Sequence, residues 1–201
     1  MPQIAFAGLG RIGLPMCAAL VSAGYQVTAT DERAEAEEAA VACGATWQDT
    51  PAQAAAAAGV LITMLPGPRE VHAAMLGEAG ALKGPGAGAA WIDMTSNSPV
   101  AVRPIREQAI EKGVEVLEAP VGGGTAAARE GTLQLFVGGE ASAVERHRAL
   151  LEVLGDPGGS STSAGTAPGT PPNCWSTCCG SARRSGPPLF PGCQFHAPAL
   201  G

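Results

Sequence analysis

Aromatic residues are scarce in this 201-residue chain: they make up 4% of it and include a single tyrosine. So thin a supply excludes the stacking platforms on which single-stranded nucleic acids lie. Basic residues are also few, 12 Lys and Arg against 18 Asp and Glu, for a net charge of −6. No basic face is therefore available to neutralise a phosphate backbone. No apolar run approaches the ~20 residues needed to cross a bilayer. The N-terminus also lacks the basic segment and small-residue cleavage site of a signal peptide. Neither nucleic acid nor membrane is an expected partner, and the expected compartment is the cytoplasm.

Lysine occurs only at 83 and 112, histidine only at 72, 147 and 196. Lys83 falls in a linker and Lys112 at a helix end, so both are expected to be solvated. The histidines are likewise expected at the surface. Cys17 and Cys43 sit in apolar helical surroundings, where a buried thiol is the expected state. Cys174, Cys178, Cys179 and Cys193 crowd the end of the chain without the paired Cys-X-X-Cys spacing of zinc ligands, and no metal is expected.

What the chain has is 46% hydrophobic residues, enough for one domain with a sizeable core. It also has an ordered set of glycine turns. Ile4-Ala5-Phe6-Ala7 is a short apolar run, followed by Gly8-Leu9-Gly10-Arg11-Ile12-Gly13 and then a helical stretch from Leu14 to Val21. Strand, glycine turn and helix in this order can receive a dinucleotide pyrophosphate. The first glycine permits the turn, the second lets backbone approach phosphate, and the third brings helix against strand. Asp31 closes a second strand, 25–30, about twenty residues on, where an acid bonds the ribose hydroxyls of NAD. Its alternative role is to cap a helix over 32–43. Arg33 beside it keeps NADP open as a cofactor.

Further along, strands are expected at 44–47, 60–65, 89–92, 114–118 and 132–137. Helices are expected at 51–58, 70–76, 100–112 and 141–154, with a short one ending at Arg129. This alternation predicts a Rossmann-like, doubly wound, mostly parallel α/β sheet with helices on both faces. The turns at the carboxyl ends of its strands would bind the ligand.

In the order in which they occur, these motifs resemble those of the β-hydroxyacid dehydrogenase family over residues 2–157. Gly8 to Met16 is similar to its N-terminal signature, and Thr63-Met64-Leu65-Pro66 to its loop against the cofactor. Ile92-Asp93-Met94-Thr95-Ser96 resembles the segment whose second hydroxyl residue, here Ser96, contacts the nicotinamide half. Ala119-Pro120-Val121-Gly122-Gly123-Gly124 resembles the substrate motif, with Gly131-Thr132-Leu133 and Val137-Gly138-Gly139 continuing the pattern. The resemblance implies Gly8, Leu9, Gly10, Arg11, Ile12, Gly13, Asp31, Leu65, Pro66 and Ser96 as cofactor contacts. It implies Gly122, Gly123 and Gly124 as substrate contacts. NAD is the implied cofactor, with NADP the alternative, and a small hydroxy acid or semialdehyde the implied substrate. A homo-oligomer is implied only for the full-length family form.

Two departures from the family stand out. Gly122 takes the place of a serine, which leaves the backbone N–H groups of Gly123 and Gly124 to hold a substrate anion. The family's catalytic lysine, with asparagine four residues later, has no counterpart, so no residue of this chain is expected to be catalytic. An imine reductase relative and a non-catalytic dinucleotide-binding module are the alternative readings.

From residue 158 the composition shifts to Gly, Ser, Thr, Pro and Cys without periodicity. By composition this is an irregular tail in place of a helical domain. Regrouping the codons of 172–180 one frame over forces leucine at the 173/174, 174/175 and 178/179 junctions. It also permits Lys-Leu-Leu-Val-Asn-Leu-Leu-Trp, the missing lysine and asparagine at their family separation. A frame change between about 155 and 159 is the expected origin of the tail.

Overall fold

A computed structural model describes residues 2–83 and 89–155, together with the backbone of residues 163 and 164. Cys174, Cys178, Cys179, Cys193 and His196, and the expectations for the tail around them, lie outside the described residues.

Four strands carry side chains that are buried on both faces: β1 (Ile4–Ala7), β2 (Val27–Thr30), β4 (Val60–Thr63) and β5 (Ala90–Asp93). This is the pattern of parallel strands covered by helices on each side. With β3 (Thr46–Trp47), β6 (Glu115–Glu118), β9 (Gly138–Gly139) and β10 (Ser163–Ala164) they form an eight-stranded sheet in the order β10-β9-β6-β5-β4-β1-β2-β3. Every pairing is parallel except β6 with β9. The chain leaves β1 toward β2 on one side and later crosses to β4 on the other. The crevice between β1 and β4 is therefore the topological switch point of the sheet.

Register sorts the side chains into two layers. Ala29, Phe6, Ile62, Ile92 and Leu117 form one row across five strands. That row faces a core shared with Met16, Cys17 and Leu20 of α1 (Gly13–Ser22), Ala40 of α2 (Ala36–Ala42), and Leu150 and Leu151 of α7 (Ala141–Leu154). One residue earlier, Ala5, Leu61 and Trp91 point the other way. They meet Ala54 of α3 (Pro51–Ala55), Val71 and Met75 of α4 (Pro68–Leu76), and Val102 and Ile105 of α5 (Pro99–Glu111). The alternation follows from the two-residue period of a strand. The next row on this second face is Thr30, Ala7, Thr63, Asp93 and Glu118. It lies at the carboxyl ends of the strands, and four of its five residues are polar.

The expected strand over 132–137 is divided. Gln134–Leu135 (β8) pairs antiparallel with Val121–Gly122 (β7) in a separate two-stranded sheet, and Gly138–Gly139 joins the main one. Phe136 donates its N–H to the Pro120 carbonyl between them. Such a division is invisible in the strand-like pattern of 132–137. The helix expected over 32–43 begins only at Ala36, with Glu35 as its N-cap, so Asp31 does not cap it. Between β7 and β8, α6 (Gly124–Glu130) ends on a left-handed Gly131.

Cys17 and Cys43 are free thiols. Burial and the neighbouring Cys43 thiol push Cys17 up, so it is a packing group and not a nucleophile. Lys83 is exposed. Lys112 is exposed as well, as expected of a group at a helix end, and its Nζ donates to the Leu82 carbonyl at 2.5 Å. His72 is exposed, whereas His147 is half-buried against Glu115, its Nε2 3.2 Å from Oε2. The acid on β6 draws it inward.

Candidate dinucleotide-binding site

The glycine turn joins β1 to α1, and its three glycines are required for different physical reasons. Gly8 has φ +101°, and a Cβ there would stand 2.3 Å from the Met64 carbonyl oxygen, so only glycine fits. A Cβ on Gly13 would stand 2.0 Å from the Gly8 carbonyl oxygen, which fixes how closely helix approaches turn. At Gly10 a Cβ would meet nothing within 4 Å. Internal packing does not demand glycine at that position, but a phosphate lying against the backbone does. α1 begins without a capping side chain and without an acid in its first turn, leaving its positive end for an anion. The turn thus fits the group that its sequence implies.

Asp31 is brought against this turn from the end of β2. Its Oδ2 accepts the Leu9 N–H at 2.6 Å, while its Oδ1 accepts the backbone N–H and the Nε–H of Arg33, both at 3.0 Å. Arg33 Nη2 also reaches the Leu9 carbonyl at 3.2 Å. Gly8 N–H bonds the Thr30 carbonyl at 3.0 Å, so backbone and side chain together bind the turn to β2. Burial acts upward on Asp31 and is the largest single influence. The Arg33 side-chain bond, the N–H groups of Arg33 and Leu9 and the Arg33 charge together outweigh it and hold the carboxyl below its ordinary value.

On the other side of the switch point, Leu65 and Pro66 follow β4 and Ser96 follows β5, with Pro66 and Ser96 exposed. Gly8 to Gly13, Asp31, Leu65, Pro66 and Ser96 therefore all lie just past the carboxyl ends of β1, β2, β4 and β5. The tertiary structure brings these separated motifs to one edge of the sheet. Of the glycine turn's side chains, Leu9 is buried, Ile12 half-buried and Arg11 exposed. Gly122, Gly123 and Gly124 sit farther along, where β7 leads into α6. Gly123 and Gly124 are exposed and take consecutive left-handed conformations, φ +109° and +73°. A Cβ on Gly122 would lie 3.4 Å from Gln134 Oε1 and 3.5 Å from Phe136, ordinary contacts, so packing does not exclude a side chain there.

Sequence reasoning missed a polar network beneath the site. Asp93 Oδ1 accepts the Thr63 hydroxyl at 2.9 Å and the Thr95 N–H at 3.1 Å, and Oδ2 accepts Asn97 Nδ2–H at 2.8 Å. Trp91 Nε1–H donates to Thr63, and Leu65 N–H to the Thr95 hydroxyl. The available signal was that β4 and β5, apolar throughout, each end on a polar residue. Arg106 of α5, paired with Glu118 at the end of β6, was missed as well. No group of metal-ligating side chains occurs among the described residues, and no described helix is long and apolar enough to cross a membrane.

Comparison with known proteins agrees with this geometry. The NAD binding domain of 6-phosphogluconate dehydrogenase matches residues 3–174. The NAD-dependent L-serine dehydrogenase of Pseudomonas aeruginosa is 39% identical over 155 residues, which are 77% of this chain and 52% of that protein. A 3-hydroxyisobutyrate dehydrogenase of the same organism has the same identity and coverage. The structure of Mycobacterium tuberculosis 3-hydroxyisobutyrate dehydrogenase with L-serine superposes with a TM-score of 0.76 at 32% identity, covering 90% of this chain and 59% of that one. The chain spans about half the length of the curated relatives it matches. With its glycine turn, switch-point crevice and motif order, the chain belongs to the β-hydroxyacid dehydrogenase family, of which it carries the N-terminal NAD(P)-binding domain.

Proposed function

We propose that this chain is the cofactor-binding part of an NAD-dependent dehydrogenase acting on a small β-hydroxy acid or the matching semialdehyde. The open outer side of Gly10, between two glycines locked by backbone, carries the reading. In it, the N–H groups at the start of α1 hold the pyrophosphate, and Asp31 accepts the hydroxyls of the adenine ribose. Arg33 is committed to both Asp31 oxygens and the Leu9 carbonyl. A 2′-phosphate would meet the Asp31 carboxylate first, which favours NAD over NADP. Leu65 and Pro66 wall the crevice beyond β4, and Ser96 meets the nicotinamide half. The nicotinamide, when bound, supplies or accepts the hydride. The Gly123 and Gly124 N–H groups hold the substrate's acid group, and the missing side chain at Gly122 leaves room for a bulky one.

Proton transfer at the substrate hydroxyl needs a group that the described residues do not place here. Lys83 is on the surface, and Lys112 is tied to Leu82. The frame-shifted lysine and asparagine read from 172–180 would supply it, and resequencing the gene through 155–159 tests that origin. An unaltered frame rejects it.

Binding of NADH to the purified 201-residue chain, followed by fluorescence, tests the cofactor reading. Gly10→Val places its side chain in open space and should change stability by no more than about 0.5 kcal/mol. It should weaken NADH at least about tenfold, because the branched side chain fills the phosphate's place. Gly13→Ala, by contrast, should lose the fold, since its Cβ has no space. An unchanged NADH affinity in Gly10→Val rejects the site.

A further inference from the structure

We propose that Asp93 and Asn97 form a positioning pair that sets where Ser96 meets the nicotinamide half of the cofactor. The inference rests on the dinucleotide-binding reading. A dinucleotide bound across the switch point places one half over β1 and β2, where Asp31 lies, and the other over β4 and β5. On that second side Asp93 is 1% exposed, and a carboxylate so deeply covered needs donors to replace water. Its donors come from both neighbouring segments, Thr63 from β4 and Thr95 and Asn97 from the loop after β5. Thr95 passes the connection on, its hydroxyl accepting the N–H of Leu65. One carboxylate thereby ties the loop of Leu65 and Pro66 to the loop of Ser96.

Ser96 is exposed, and the residues on either side of it are both anchored to Asp93. Thr63 and Thr95 suffice to fasten the two strand ends together. The Asn97 contact adds nothing to strand pairing, since it reaches back from four residues along the loop. Its other amide atom, Oδ1, is buried without a hydrogen-bond partner among the described residues, a cost that stability by itself does not repay. What the contact does is close the loop around Ser96 and present its side chain in one place.

The test compares NADH with ADP-ribose, which lacks the nicotinamide, on the full 201-residue chain. Asn97→Ala should weaken NADH about tenfold and ADP-ribose less than about twofold, the loss of one charge-assisted tether on one half of the site. Asp93→Asn is the second variant. Asn97 can turn its amide and offer Oδ1 to the new donor, so NADH affinity should stay within about threefold of wild type. Equal weakening of both ligands by Asn97→Ala shows a merely structural role and overturns the proposal, as does an unchanged NADH affinity. Wild-type chain that binds neither ligand overturns the cofactor reading, and this inference with it.

Discussion

Asp31 shows how much one side chain takes on beyond the role its position suggests. Its place after β2 is legible from the spacing to the glycine turn, and so is its fitness for a ribose. What the spacing does not reveal is that Asp31 also holds the turn, through Leu9, and is itself held by Arg33. A carboxyl kept below its ordinary value in the folded chain stabilises it at higher pH and loses that contribution as pH falls through the lowered value. Asp31→Asn should therefore be less stable than wild type above about pH 4, the ordinary carboxylate range, with the gap narrowing in more acid solution. Urea midpoints measured from pH 7 to pH 3 check this, and a gap independent of pH contradicts it. The polar ends of β4 and β5 were the one legible trace of the Asp93 network, because its bonds between the two strands span 30 residues and only strand register makes those residues neighbours.

At the scale of elements, alternation of apolar runs and helical stretches sufficed to foresee most of the sheet. β1, β4, β5 and β6 fall within the expected runs or one residue from them, and α7 matches its expected bounds. The run over 132–137 failed because apolarity does not say which sheet a strand joins. There the left-handed pair Gly123 and Gly124 turns the chain into α6, and β8 returns to pair with β7. Between α5 and β6, burial creates a dependence that neither element shows separately. Arg106 and Glu118 face one another with side chains 14% and 10% exposed. Removing Glu118 takes the opposite charge away from a guanidinium that stays mostly covered, so Glu118→Ala should cost about 3 kcal/mol, read as a lower urea midpoint at unchanged slope. A shift close to zero would mean that water reaches the pair.

For the whole molecule, the sheet separates two cores and leaves a polar row, Thr30, Thr63, Asp93 and Glu118, at the edge where the motifs gather. That edge has backbone donors, an acid for a ribose and an exposed serine, but the described residues bring it no lysine. The 201-residue chain should therefore bind NADH and yet give no turnover above background on 3-hydroxyisobutyrate or tartronate semialdehyde, followed by NADH absorbance. Turnover of either contradicts this, and turnover of a cyclic imine alone favours the imine reductase reading.

By itself, the sequence determined the doubly wound class, the glycine turn and the order of the motifs. Each of these is local: a strand's covered faces, a glycine's dihedral freedom and a helix start are written in a few adjacent residues. Only the tertiary structure decided what those motifs do together. Parallel register set the polar last residues of β4, β5 and β6 in one row, and it made Asp93 the joint between two loops. It also left Gly10 open where Gly8 and Gly13 are closed. The identity of three glycines does not distinguish them, but the atoms that other segments bring against each one do.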